Sequence, residues 1–190
     1  PFPCDWNGNG LVDLVVGNEH GDILLFANLG TPAQPYFDIS RAVGVNSTLL
    51  CRMEEGWAVP VVADWDKNGT PDLVVGTASG GVSVAVNRGH PTFPSFPEWE
   101  PLRADGKAIH VGSFASPFLA DWNHDGDEDL LVGDGKGFLH LFLYDAGQSE
   151  FQTAGLVMAD GNPIRTRSRT RPWMTDWDGD GVADLVVIGP

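Results

Sequence analysis

One nine-residue stretch, present four times, limits what this chain can fold into more than any other feature. It occupies residues 5–13, 64–72, 121–129 and 176–184. Each copy reads Asp-Trp-(Asp/Asn)-x-(Asp/Asn)-Gly-x-x-Asp and leads into Leu and a short apolar run. The first residues of the copies lie 59, 57 and 55 positions apart. A period of this length marks a repeat architecture, in which one supersecondary unit packs on copies of itself.

Aligned on the copies, the rest of each unit resolves into strands. Residues 1–5, 60–64, 117–121 and 172–176 each begin with Pro and run into the first Asp. They read as a first strand, where an opening Pro need not donate to the ladder. Asp13–Gly17, Asp72–Gly76, Asp129–Gly133 and residues 184–189 are short, rich in Val and Leu, and closed by Gly. They are too short for helices and read as buried second strands. A third strand is predicted over Ile23–Asn28, residues 82–87 and residues 138–144. A fourth, outer strand is expected around Tyr36 and Phe37, residues 93–96, and Phe151. No segment sustains a 3.6-residue apolar period, so almost no helix is predicted.

The predicted fold class is therefore all-β: a β-propeller of four-stranded antiparallel blades. Repeats fall at about 1–59, 60–116 and 117–171, with a partial unit at 172–190, all within one propeller segment spanning 1–190. That is about 3.5 blades, against the four or more of closed propellers. The expectation is a segment of a larger propeller; two copies making a seven-bladed ring also fits the arithmetic.

The repeated loop has the chemistry of a Ca²⁺ site. Ca²⁺ takes six to eight oxygens, and a tight turn lets alternate residues converge on one centre. The first copy offers Asp5, Asn7, Asn9, the Leu11 carbonyl and Asp13. The second offers Asp64, Asp66, Asn68, the Thr70 carbonyl and Asp72. The third offers Asp121, Asn123, Asp125, the Asp127 carbonyl and Asp129. The fourth offers Asp176, Asp178, Asp180, the Val182 carbonyl and Asp184. Gly10, Gly69, Gly126 and Gly181 stand at the turn. Every donor is a hard oxygen, which favours Ca²⁺ over Zn²⁺ or copper, and a full protein cage disfavours Mg²⁺. Up to four Ca²⁺ ions are expected. Side-chain carboxylates number two in the first copy, three in the second and third, and four in the fourth, so the fourth is expected to bind most tightly. An EF-hand would place Glu at position 12 between helices; here Val16, Val75, Val132 and Val187 stand there, inside apolar runs.

The charge balance agrees. Eleven Lys and Arg face 26 Asp and Glu, a formal charge of −15. Phosphate binding needs a basic footprint, so no nucleic-acid partner is expected. No apolar run is long enough to insert in a membrane, and no segment resembles a signal peptide.

On these loops and their apolar sequels, the repeat resembles the FG-GAP/VCBS family of calcium-binding propeller repeats, as in integrin α-subunit heads. Residues 112–117, Gly-Ser-Phe-Ala-Ser-Pro, come nearest to the motif that names the family. The Trp at loop position 2 is closer to the VCBS variant than to integrins. The resemblance implies a mainly structural metal hairpin between the first and second strands of each blade. It also implies a secreted or cell-surface setting. The expected function is a calcium-stabilised extracellular module for adhesion or for binding a protein or glycan ligand, or for packing on further blades of a larger chain. The alternatives are a structural repeat of a surface filament or matrix protein, and the propeller part of a polysaccharide-degrading enzyme.

Other features carry two readings each. Trp6, Trp65, Trp122 and Trp177 recur in phase, which favours packing over a sugar platform. Trp57, Trp99 and Trp173 fall outside the pattern and are the better candidates for a ligand surface. Arg165, Arg167, Arg169 and Arg171 alternate, as on one face of an edge strand guarded by charge. A site for an acidic glycan or neighbouring protein is the alternative. Cys4 and Cys51 could pair in an oxidising compartment or be two small buried residues. Asn46 opens a glycosylation sequon; Asn68 opens another but is assigned to the metal. The five histidines are scattered without metal spacing, and no nucleophile elbow or phosphate loop occurs. No catalytic residue is assigned, and the chain is read as no enzyme.

Overall fold

The computed structural model describes residues 1–38, 52–54 and 56–189. The Cys4–Cys51 pairing and the Asn46 sequon fall outside the described residues. None of the described residues is helical.

The first sheet has β1 (Phe2–Cys4), β2 (Asp13–Gly17), β3 (Ile23–Asn28) and β4 (Phe37–Asp38), paired antiparallel in chain order. The second repeats that order with β5 (Val59–Ala63), β6 (Asp72–Gly76), β7 (Val82–Ala85) and β8 (Glu100–Pro101). The third holds six strands: β9 (Arg103–Ala104), β10 (Lys107–Ala108), β11 (Ser116–Ala120), β12 (Asp129–Gly133), β13 (Leu139–Asp145) and β14 (Glu150–Leu156). Two small pairs complete the set, β15 (Met158–Ala159) with β16 (Asn162–Pro163), and β17 (Arg171–Thr175) with β18 (Asp184–Ile188). The first two strands of every unit lie within about one residue of their predicted positions. They are always paired across the acidic loop: Cys4 opposite Asp13, Ala63 opposite Asp72, Ala120 opposite Asp129 and Thr175 opposite Asp184.

One expectation holds in coarser form and two are corrected. None of the sheets described closes on itself into a barrel or propeller; what is present is a series of separate, repeat-like antiparallel sheets. The fourth strand of the second unit is not at residues 93–96 but at Glu100–Pro101. Pro91, Pro94 and Pro97 cannot donate to a ladder, and Phe96 instead sits in the core, only 2% exposed. The third sheet exceeds four strands because the β9–β10 hairpin joins β14 through a parallel pair at Phe151 and Ala104. That hairpin turns on Asp105 and Gly106, both at positive φ (52° and 77°), and the β15–β16 hairpin repeats this on Asp160 and Gly161 (50° and 77°). Asp-Gly is the dipeptide a two-residue hairpin favours. Ala-Asp-Gly followed by Ile three residues later occurs at 104 and again at 159, a second repeat signal.

The chain contacts divide it into two units. In the unit of residues 1–77 and 83–100, Trp6, Val15, Ile23, Met53, Ala58, Leu73, Val75, Ala85 and Phe96 form one buried cluster. In the unit of residues 78–82 and 101–190, Leu130, Leu131, Val132 and Leu139 are fully buried, and Phe118 meets Trp173 at 5.1 Å between ring centroids. Each such side chain contributes roughly 1.5–3 kcal/mol by leaving water.

Within each unit, successive repeats are joined by one recurring device. The turn between second and third strands accepts a backbone bond from the segment that leads to the next repeat. Met53 N donates to Gly21 O (3.0 Å), Val111 N to Gly80 O (2.9 Å) and Thr166 N to Gly137 O (2.9 Å). The Gly that closes the second strand permits this approach. A Cβ on Gly17 would meet the Ala58 carbonyl oxygen at 2.0 Å, and one on Gly133 the Thr170 carbonyl oxygen at 1.9 Å.

Candidate metal centre

The four acidic loops are built from the same hydrogen bonds. At position 1, Asp5 accepts from the amides of Gly8 (2.9 Å), Asn9 (3.0 Å) and Gly10 (2.8 Å). Asp176 does the same with Gly179 (2.7 Å), Asp180 (3.0 Å) and Gly181 (2.9 Å). Asp64 accepts from Gly69, and Asp121 from Asp125 and Gly126. At position 5, the side chains of Asn9, Asn68, Asp125 and Asp180 accept from the amides of Leu11, Thr70, Asp127 and Val182. These bonds curl the backbone so that the oxygens of alternate residues face one another, with the position-6 Gly at φ between 80° and 94° in every copy. That left-handed conformation is the reason for glycine there.

Position 9 has a second task that the sequence did not reveal. Asp13, Asp72 and Asp129 are fully buried. One carboxylate oxygen of each accepts from the loop Trp amide: Trp6 (3.0 Å), Trp65 (2.7 Å) and Trp122 (2.9 Å). The other accepts from the amide at the end of the third strand or beside it: Asn28 (2.7 Å), Asn87 (2.7 Å) and Tyr144 (2.9 Å). Each aspartate thus ties loop, second strand and third strand together. Asp184 is exposed and accepts from Trp177 (2.9 Å). Asn28 and Asn87 extend the tie, since each side-chain oxygen closes the following loop by accepting from Gly30 and Tyr36, or from Gly89 and Ser95.

Among the described residues, two acidic groups converge as a cation site requires. One oxygen from each of Asp64, Asp66 and Asp72 lies within 4.8 Å of the others, and likewise for Asp176, Asp178 and Asp184. Oxygens about 2.3–2.6 Å from one Ca²⁺ can be no more than roughly 5 Å apart, so both groups have the right size. The donor set fits this ion: all oxygen, mostly carboxylate. Asp180, at position 5, stands outside the fourth loop's group. In the first and third loops Asn stands at position 3. Asn7 turns its amide toward Asp13 (3.3 Å), and Asn123 donates to Asp125 (2.8 Å), so in those loops a side-chain N–H meets the carboxylate.

The electrostatics follow the same division. Burial, and less strongly the neighbouring Asp66 charge, holds the Asp72 carboxyl above the ordinary aspartate range, against the opposing pull of the amides of Asn87, Trp65 and Asp66. The Asp127 amide, with the Asn123 side chain, lowers Asp125. Burial thus opposes ionisation of Asp72 in the second loop, while neighbouring donors support the charge of Asp125 in the third. Sequence reasoning overlooked one residue here: Arg88, whose guanidinium lies 3.3 Å from Asp66 as a tethered cation. Beside the first loop, burial and then the charges of Asp13 and Asp5 push the Cys4 thiol up to about 12, so it stays protonated and offers no thiolate ligand.

The tryptophans divide. Trp6 is buried, its indole N–H donating to the Pro91 carbonyl (2.9 Å), with its ring 6.4 Å from that of Phe96. Residues of the second repeat thus cover the Trp of the first. Trp65 and Trp122 are half-buried, whereas Trp177 is 77% exposed. Trp99 packs against the buried cluster and Trp173 against Phe118, each half-buried.

The FG-GAP-like repeat family matches residues 5–75, 64–132 and 121–187. Each match starts at one acidic loop and ends in the second strand after the next. No curated protein matches the chain closely enough to be counted a relative. Repeats of this family are structural and non-catalytic. They are typically extracellular, and among the described residues no helix is long and apolar enough to cross a membrane. A chain matched almost from end to end, with the same acidic hairpin opening every unit, belongs to the FG-GAP-like repeat family.

Proposed function

We propose that this chain is a calcium-stabilised extracellular module, used for adhesion or for binding a protein or glycan ligand, whose sheets act as blades of a larger propeller. The convergence of Asp64, Asp66 and Asp72, and of Asp176, Asp178 and Asp184, carries the calcium reading. Position-1, -3 and -9 side chains would hold the ion in those loops, with the position-5 side chain and the position-7 carbonyl completing the set. Bound Ca²⁺ would neutralise carboxylates that otherwise repel. The chain's own part is to hold those carboxylates in place: backbone amides fix the position-1 Asp, and the buried position-9 Asp anchors the loop to two strands. Binding energy then becomes folding energy.

The blade reading is supported by the joint between repeats and by Trp6, which the next repeat covers. Trp177 and Val182 of the fourth loop are 77% and 61% exposed, apolar surface suited to receiving a further blade. Thermal unfolding in calcium and in EDTA tests the central claim. Removing calcium is expected to lower Tm by about 10 °C or more, given a few kcal/mol of linked binding. An unchanged Tm would refute it.

A further inference from the structure

The run Arg165, Arg167, Arg169 and Arg171 was expected on an edge strand, where charge guards against unwanted pairing. The structure removes that reason for three of the four. Residues 164–170, between β16 and β17, belong to no sheet, apart from an isolated bridge between Arg165 and Phe138, whereas Arg171 opens β17. The run nevertheless keeps the alternation: all four arginines are exposed, Thr166 and Ser168 are half-buried, and Thr170 is buried. Backbone bonds hold it in place, from Thr166 N to Gly137 O (2.9 Å), Arg169 N to Gly135 O (3.3 Å) and Thr170 N to Asp134 O (3.1 Å). The hydroxyls of Thr166 and Thr170 bond to each other at 2.8 Å. The four exposed arginines therefore project from an anchored segment that bends at residues 167–169, with Arg169 at φ 46°.

Two of them are also stacked. Arg165 lies over the Phe138 ring at 4.8 Å and Arg169 over Phe114 at 4.2 Å. A ring beneath a guanidinium fixes its plane and leaves N–H edges for an anion. Exposed Lys136 adjoins them, its carbonyl accepting from Arg165 Nε (3.3 Å). Arg165, Arg167 and Arg171 form no ion pair among the described residues. Five of the chain's eleven Lys and Arg residues thus meet on one surface of a molecule with charge −15.

At Arg171 this surface lies away from the fourth acidic loop. β17 starts at Arg171 and ends at Thr175, next to Asp176. Five residues of extended chain span roughly 16 Å, about two Debye lengths at physiological salt. The basic end therefore acts as a separate electrostatic site.

We propose that Lys136, Arg165, Arg167, Arg169 and Arg171 form the binding surface for a sulfated polysaccharide. A run of exposed arginines matches a polymer with closely repeated monovalent anions, and each fork can donate two N–H groups to one sulfate. Duplex nucleic acid is too large to avoid the acidic remainder of the molecule. The choice of sulfate over carboxylate rests on the calcium reading above, because carboxylate polymers bind the same ion that the loops require. Sulfate also keeps its charge at every pH at which the protein is folded.

The test uses the full chain in calcium, with heparin as the probe and desulfated heparin, polyglutamate and duplex DNA as comparisons. Heparin is expected to bind and to be released by NaCl. The R165Q/R167Q/R171Q variant is expected to bind at least about tenfold more weakly at unchanged Tm. Should that variant lose its fold, R167Q/R171Q, which disturbs neither ring stack, is expected to weaken binding in the same direction. Changing Arg52 and Arg103 to Gln is expected to leave binding intact. Variants that bind like the parent would overturn the proposal. So would polyglutamate, DNA or desulfated heparin binding as tightly as heparin. Failure of the calcium reading is seen separately, as a Tm unmoved by EDTA.

Discussion

At the scale of single residues, the acidic loop separates into two kinds of aspartate. Asp72 is buried and accepts amides from Trp65 and Asn87; Asp66 is exposed and faces Arg88. Asp72→Ala would leave both amides without partners, costing about 2–4 kcal/mol even in EDTA. Asp66→Ala should cost less than about 0.5 kcal/mol in EDTA and act only by removing calcium's effect. Urea unfolding in both buffers separates the two. Arg88→Ala removes a tethered cation from the second loop, so Ca²⁺ affinity there should rise about two- to fivefold, the scale of an exposed ion pair. Calorimetry would read it, and a weakened site would contradict the competition. The same geometry revises the ranking by carboxylate count. The second and fourth loops should bind most tightly, because Asn123 already meets Asp125 in the third.

At the scale of elements, the hairpin is specified locally and the joint between repeats is not. Each first and second strand is preset by its flanking Pro, its Val- and Leu-rich run and the Asx bonds of the loop between. The joint depends on Gly133, where a Cβ would fall 1.9 Å from the Thr170 carbonyl oxygen. Gly133→Ala is therefore expected to cost about 3 kcal/mol by forcing two backbones apart. A matched loss of Tm in calcium and in EDTA would place the damage at the joint rather than at the metal. The β9–β10 and β15–β16 hairpins went unread, although Asp-Gly recurs at the same offset, because their two-residue strands leave almost no apolar pattern.

At the scale of the whole molecule, the charge of −15 works against compaction wherever no counter-ion relieves it. In EDTA, raising NaCl should therefore raise Tm by several degrees as screening shortens the reach of the repulsion. In calcium the same salt should have a smaller effect, because the densest acid clusters are already neutralised. Differential scanning fluorimetry across salt in the two buffers checks this. Equal salt responses would show that the loop carboxylates are not the main source of repulsion.

Local chemistry was enough for the sequence to determine the hairpin on either side of every acidic loop, the oxygen character of the candidate metal site and the absence of helix among the described residues. Those depend on neighbours within about ten residues, where turn residues and strand length act directly. Tertiary structure decided the rest. It showed that the position-9 aspartate also pins a strand fifteen residues away, that Phe96 enters the core instead of forming an edge, and that Asn at position 3 meets the carboxylate a cation would otherwise need to balance. It also separated the tryptophans, since one motif position is buried at Trp6 and bare at Trp177, depending on what packs beside it. Burial and counter-charge are properties of surroundings. The recurring nine residues set the donor atoms, but only the folded chain decides which donors are already satisfied and which still call for an ion.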